Sequence, residues 1–329
     1  MIGVGLDVGG TKMLGVALDE EGRVLAEERR PTEYDTAALL DALTDLYRGL
    51  AAAAGAEAAG ATPPVGVGVP GLVDTEGRLV FAPNLLRASG ADIRDGLASR
   101  LGRRIPVIQV DNDATCATAG EAAFGAGRGR SDVLVVTLGT GIGGGIVSGG
   151  RIVRGSGNFA GEIGHVVVDP KGPPCGCGRR GCWERYASGS GLGRIARDFA
   201  LAGRASRIVA LAGDADAVRG EHVMRAIEEG DEEAGVVLEE FAWWLALGLA
   251  NLANVLDPGV IVIGGGLVRA GEVLLDPVRA AFASQIEGTD VRPPIEILAA
   301  ALDDRSGAIG AAVIGLEAAG TPVLGPGGG

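Results

Sequence analysis

Lysine is nearly missing from this chain: Lys12 and Lys171 stand against 27 arginines in 329 residues. We read this as genomic bias rather than chemistry. Cysteine is also scarce. Four in the whole chain exclude the disulfide framework of a small secreted domain. The start, MIGVGLDVGG, lacks the basic residues of a signal peptide and meets an aspartate at position 7. The expectation is a chain without such a leader. Long apolar runs are lacking too. FAWWLALGLANLANVL (241–256) is too short to span a bilayer, carries Asn251 and Asn254, and reads as a buried helix. Positive charge is in deficit, and a net charge of −13 opposes nucleic acid as a bulk partner. These absences leave a soluble, acidic, cytoplasmic α/β protein with no membrane and no nucleic-acid partner. Its 47% hydrophobic content can fill a large core in about two domains.

What is present alternates. IGVGLDV, KMLGVAL and RVLAEE read as three antiparallel strands joined by Gly9-Gly10 and DEEG. A helix follows, capped by Asp35 or Thr36, with a stripe of Leu39, Leu40, Leu43, Leu46, Tyr47 and Leu50. VGVGV (65–69) and IPVIQV (105–110) suit buried strands, and a helix starts near Asp113. The opening pattern then returns as VLVVTLGTGIGGGIVSGGRIV (133–153), again strand, glycine turn, strand, turn, strand. The repetition predicts two similar domains around a cleft. Helices are expected over 221–257 and near 306–319, with a buried strand VIVIGGG (260–266) between them.

Two familiar glycine motifs nearly match and fail. GLDVGGTK has P-loop glycine spacing, but Thr-Lys replaces Lys-Ser/Thr and a strand follows. GTGIGG (139–144) fits the dinucleotide pattern by letter, yet it also leads into a strand. A hairpin that holds phosphate fits better, because a glycine turn lets backbone N–H groups converge on an anion. Asp7 could order water on Mg²⁺, while Gly9, Gly10, Thr11 and Lys12 approach phosphate. Gly139, Thr140 and Gly141 form a second such turn. Gly264 and Gly265, after a strand, could admit a base or ribose. Three loops of this kind point to nucleotide binding.

CGCGRRGC (175–182) holds three of the four cysteines, and His165 stands ten positions earlier. His165, Cys175, Cys177 and Cys182 make a tetrahedral Cys₃His zinc set with no open position, hence a structural Zn²⁺. The alternatives are a disulfide with a spare thiol, which a reducing cytoplasm disfavours, and unliganded cysteines. Cys116 reads as a small core residue. Asp111, Asn112 and Asp113 end a strand, where either ligand contact or helix capping is open.

Together, DVGGTK, LGTGIGGG, GEIGH and CGCGRRGCWE resemble the ROK family of sugar kinases and related repressors, in order and spacing over residues 1–319. The resemblance is nearest to the family's bacterial glucokinases. It implies the duplicated actin-like, hexokinase-like (ribonuclease H-like) ATPase fold. It also implies a last helix that returns to the first domain. The expected division is 1–115 plus 305–320 as a small domain, 116–304 as a large domain with the zinc loop, and 321–329 as a disordered tail. The implied activity is phosphorylation of a hexose, most simply glucose at its 6-hydroxyl, by Mg-ATP. Asp113 is then the base, and Asn84, Asn112, Glu162, His165 and Glu184 contact the sugar. N-acetylhexosamine, fructose or allose kinase, and a sugar-binding regulator, are the alternatives. Repressors of the family carry a helix-turn-helix before DVGGTK; with that motif at residue 7, the expectation is a kinase rather than a repressor. A homodimer or homotetramer is implied by the resemblance alone. Two positions depart from the family pattern: LRASG follows PNL without an aromatic, and Thr115 stands where Asn is common.

Overall fold

The computed structural model describes residues 1–56, 60–83, 85–102 and 107–325. Three strands open the chain: β1 (Gly3–Val8), β2 (Lys12–Leu18) and β3 (Val24–Pro31). Helix α1 (Thr36–Ala53) is capped by Asp35, whose carboxylate accepts from the Ala37 and Ala38 amides. Its predicted apolar stripe is buried throughout. Next come β4 (Val65–Val69), a small hairpin of β5 (Leu72–Val73) and β6 (Leu79–Phe81), α2 (Ile93–Leu101), β7 (Ile108–Asn112) and α3 (Asp113–Phe124). A second set begins with β8 (Val133–Leu138), β9 (Ile142–Ser148) and β10 (Arg151–Ile152). Helices α4 (Glu184–Ala187), α5 (Gly189–Leu201), α6 (Ser206–Ala212), α7 (Gly220–Glu228) and α8 (Glu232–Leu256) follow. The chain ends with β11 (Val260–Gly264), α9 (Glu272–Gln285), β12 (Glu296–Ala299) and α10 (Ser306–Ala318).

The repeat seen in the sequence is a repeat of topology. One sheet has the order β3-β2-β1-β4-β7 and the other β10-β9-β8-β11-β12. In the first, β1, β2 and β3 pair antiparallel, and β4 and β7 add on in parallel. VGVGV is fully buried, as a parallel strand covered on both faces should be.

The described chain divides into two compact units. One takes Met1–Val135, Gly145–Gly161 and the residues from Ala301 onward; the other takes Val136–Gly144 and Glu162–Ala300. The changeover expected at 115/116 lies instead inside β8, because α3 packs along α10 and so belongs with the first unit. Small residues allow that packing. A Cβ on Gly310 would stand 1.6 Å from the Cys116 carbonyl oxygen, and one on Gly120 would stand 2.5 Å from that of Ser306. The return comes at Ala301 rather than 305. Of the expected disordered tail, residues 326–329 lie outside the described residues. Within the rest, the Leu324 amide donates to Glu317.

Helix α8 extends the 241–256 run to 25 residues. Among the described residues it is the one helix long and apolar enough to cross a membrane. Its face of Val237, Leu238, Phe241, Leu245 and Leu249 is buried, and it packs on α9, α5 and α7, as a core helix does.

Candidate active site

In the first unit the Gly9-Gly10 turn is closed by the Gly9 amide on the Lys12 carbonyl, 2.9 Å. The turn's carbonyls are tied back: Thr32 Oγ1 donates to Gly9 O and Tyr34 OH to Gly10 O, each at 2.7 Å. A Cβ on Gly10 would meet nothing within 4 Å, so this face of the turn is open to a ligand. Thr11 is exposed beside it.

Asp7, at the end of β1, is part-buried. Gly307 at the start of α10 leaves space for it, since a Cβ there would stand 2.6 Å from Asp7 Cγ. Desolvation, and then the charge of Asp113, push the Asp7 carboxyl up to about 7. A carboxylate so placed suits a bound cation, which would restore its ionised form. The same crowding has a cost in the protein free of Mg²⁺ and nucleotide. The native state holds the Asp7 proton to higher pH than the unfolded state, so stability falls as pH rises from about 4 to about 7. Asp7→Asn should therefore melt a few degrees above wild type at pH 8. The gap should close on titration to pH 4, as followed by circular dichroism. A constant gap across that range would refute the assigned shift.

At the β7–α3 junction the helix cap is Asn112. Its Oδ1 accepts from the Ala114 and Thr115 amides at 2.8 and 3.1 Å, and its Nδ2 donates to Gly71 O at 3.0 Å. Neither Asp111 nor Asp113 is the cap. Asp111 is buried, with Oδ2 2.7 Å from Arg154 Nε and Oδ1 accepting from Asn158 Nδ2. Asp113 opens α3, with Oδ1 accepting from the Ala114 amide at 2.9 Å. Cys116, expected in the core, is fully buried one turn on. Asn84 lies outside the described residues.

In the second unit the ligand atoms of His165, Cys175, Cys177 and Cys182 lie within 4.8 Å of one another. Cys177 and Cys182 Sγ are 3.5 Å apart, and Cys175 Sγ is 3.7 Å from His165 Nδ1. A zinc ion with Zn–S of about 2.3 Å spans tetrahedral edges of about 3.8 Å, so the set fits. Burial pushes the Cys175 thiol up to about 12. Against its own desolvation, Cys177 is lowered to about 6, by the Arg179 amide and guanidinium and by the other two thiols. A thiolate is the form zinc needs.

The ring of His165 faces two ways. Nδ1 points to the thiols, while Nε2 is 3.9 Å from Glu162 Oε2. Glu184 reaches the same place: Oε1 accepts from Cys175 Sγ at 3.1 Å and lies 3.7 Å from His165 Nδ1. Burial raises the Glu162 carboxyl; the His165 ring opposes the rise and Glu184 adds to it. Two carboxylates and an imidazole edge thus stand together, a set that hydrogen-bonds vicinal hydroxyls well. Trp183 anchors the loop, a role the sequence reading missed. It is 1% exposed, and its Nε1 donates to Trp244 O on α8 at 2.9 Å. Gly248 makes the slot, because a Cβ there would be 2.0 Å from the indole.

The LGTG turn runs directly over Glu184: a Cβ on Gly141 would be 2.6 Å from its Oε2. The Gly189 amide at the start of α5 donates to Gly139 O, 2.8 Å. Beside this turn is a cavity of about 520 Å³ lined by Gly139, Thr140, Ser190, Arg197, Arg219 and Gly266, among others. Gly265, at φ 90°, lets the chain cross the Leu138 carbonyl, where a Cβ would come within 2.4 Å. The starts of α5 and α7 both border the cavity, offering amides to anions. Ser190, Arg197 and Arg219 escaped the sequence reading, because nothing in their neighbourhood marks them as facing a pocket.

The ROK family model matches residues 3–318. The glucokinase of Streptomyces coelicolor is 38% identical over 318 residues, covering 95% of this chain and 97% of its own. That of Thermotoga maritima is 35% identical, covering 94% and 96%. A solved ROK family glucokinase from Streptomyces griseus, in complex with glucose and AMPPNP, superposes with a TM-score of 0.79 at 38% identity, covering 96% of this chain and 100% of that one. The duplicated sheets and glycine turns are thus the hexokinase-like, actin-like fold, and the chain belongs to the ROK family.

Proposed function

We propose that this protein is an ATP-dependent glucokinase, transferring the γ-phosphoryl group of ATP to the 6-hydroxyl of glucose. The observation that carries the reading is the 38% identity to a glucokinase over 95% of the chain, within a family match over residues 3–318 that takes in every loop described above. In this mechanism Glu162, His165 Nε2 and Glu184 hold sugar hydroxyls, joined by Asn84 and Asn112. The amide of Asn112 also caps α3, so any sugar contact it makes is shared with that duty. Asp113 accepts the 6-hydroxyl proton as that oxygen attacks the γ-phosphorus and the bond to the β-phosphate oxygen breaks, releasing ADP. The Gly9-Gly10 and LGTG turns offer backbone amides to the phosphates, and Lys12 adds a positive charge. Gly264–Gly266 and the adjoining cavity take the base and ribose.

Asp7 would hold Mg²⁺, directly or through water, and the ion would neutralise phosphate charge. His165 and the thiols of Cys175, Cys177 and Cys182 would hold zinc, which would fix the imidazole ring and leave Nε2 for the sugar. A metal site built on free thiols suits a reducing compartment, and the reading takes the enzyme to act in the cytoplasm. A coupled ADP-release assay with ATP across hexoses tests the reading. Glucose is expected to give the highest kcat/KM. N-acetylhexosamine, fructose or allose in first place would transfer the assignment to that sugar, and no turnover of any hexose would overturn it.

A further inference from the structure

Lys12 leaves the Gly9-Gly10 turn as the first residue of β2, and its ammonium lies 2.9 Å from Asp304 Oδ2. The same carboxylate takes Arg29 Nη1 at 2.7 Å. Asp304 is 292 positions distant in sequence, so the fold must bring it there. It does so through a rigid frame. Asp303, the preceding residue, has φ 51°, a left-handed turn conformation that aspartate tolerates better than most side-chain-bearing residues. Glu121 is 1% exposed on α3 and gathers the segment around its carboxylate. It accepts from the amides of Ala301 and Leu302 at 3.0 Å each, and from Ser306 Oγ at 2.8 Å. A fourth donor, the Ala126 amide, completes the set at 3.0 Å.

Burying a carboxylate is costly, and this one is devoted to holding a turn. The ion pair on that turn is open to water: Lys12 is 53% exposed and Asp304 35%. Pairs so exposed add little to folding stability. An elaborate frame around a pair that barely stabilises the protein is accounted for by where it puts the ammonium. A lysine stem is long and flexible, and Lys12 is one of only two lysines in the chain. Arg29, on the same carboxylate, lies beside it on β3 and keeps the Asp304 carboxyl ionised, well below the usual range.

We infer that Asp304 is a positioning residue for Lys12, holding its ammonium beside the glycine turn so that an incoming polyphosphate meets an oriented cation. The other N–H donors of the ammonium remain for phosphate oxygens. This inference rests on the kinase reading above. Its test is a double-mutant cycle of Asp304→Asn and Lys12→Met, with ATP varied at saturating glucose. Asp304→Asn is expected to lower kcat/KM for ATP by roughly tenfold, the size usual for coupled contacting groups, with KM for glucose and Tm unchanged. In the Lys12→Met background the same substitution should change nothing further. Equal losses in both backgrounds would overturn the inference, as would a loss that falls equally on glucose KM and Tm. If Asp304→Asn does not unfold cooperatively, Asp304→Ser carries the same cycle. Wild type that phosphorylates no hexose defeats the kinase reading itself. An active wild type with additive mutants defeats only the role of Asp304.

Discussion

Asp113→Asn is expected to cut kcat by roughly 10²–10⁴ while the protein still binds glucose and ATP, the usual worth of a positioned base. The substitution keeps the size of the side chain and its ability to accept from the Ala114 amide, but it removes the site that takes a proton. The structure sharpens this test. From the sequence alone, capping of α3 by Asp113 is an equal reading of VDNDA, and loss of a cap would mimic loss of a base. The cap is Asn112, which Asp113→Asn leaves intact. Among the terms that change are the interaction of one charge with the helix N-terminus, about 0.3–1 kcal/mol, and, in the opposite sense, relief of the repulsion from Asp7. The melting temperature should therefore hold. Steady-state kinetics with calorimetric titration of glucose into the same variant decide the matter. A kcat near that of wild type removes Asp113 from the mechanism.

The second large effect is expected at the cysteine cluster. Cys177→Ser should reduce zinc from one per chain to near none, and raise KM for glucose by about 10–100-fold, the range typical of disturbed support around a ligating histidine. Cys177 is the exposed member of the four, so its replacement leaves the packing of Trp183 and Cys182 in place. The change then reports ligation rather than a cavity. Loss of a structural zinc should also lower Tm, at about 2–4 °C per kcal/mol for a unit of this size. Elemental analysis, thermal unfolding and glucose kinetics on one preparation read all three. Wild-type protein purified without chelators and found free of zinc would end the zinc assignment. A variant that keeps its zinc would remove Cys177 from the set.

The sequence by itself determined what local pattern encodes. Alternation and glycine turns gave β1, β2 and β8 to β10, because a strand's period and a turn's backbone demands are written in adjacent residues. The Cys₃His set was legible because all four ligands fall within residues 165–182, and the structure brings their ligand atoms within 4.8 Å of one another. The candidate base was legible only as one of three polar residues at a strand end. Tertiary structure decided which of them caps the helix, since that depends on a few degrees of backbone at one junction. It also decided that α3 belongs with α10, a pairing between segments about 185 positions apart. Glu121, Asp304 and the Asp111–Arg154 pair gave no sign in the sequence. A carboxylate carries the same letter whether it faces water or gathers buried amides, and only the folded chain brings its partners to it.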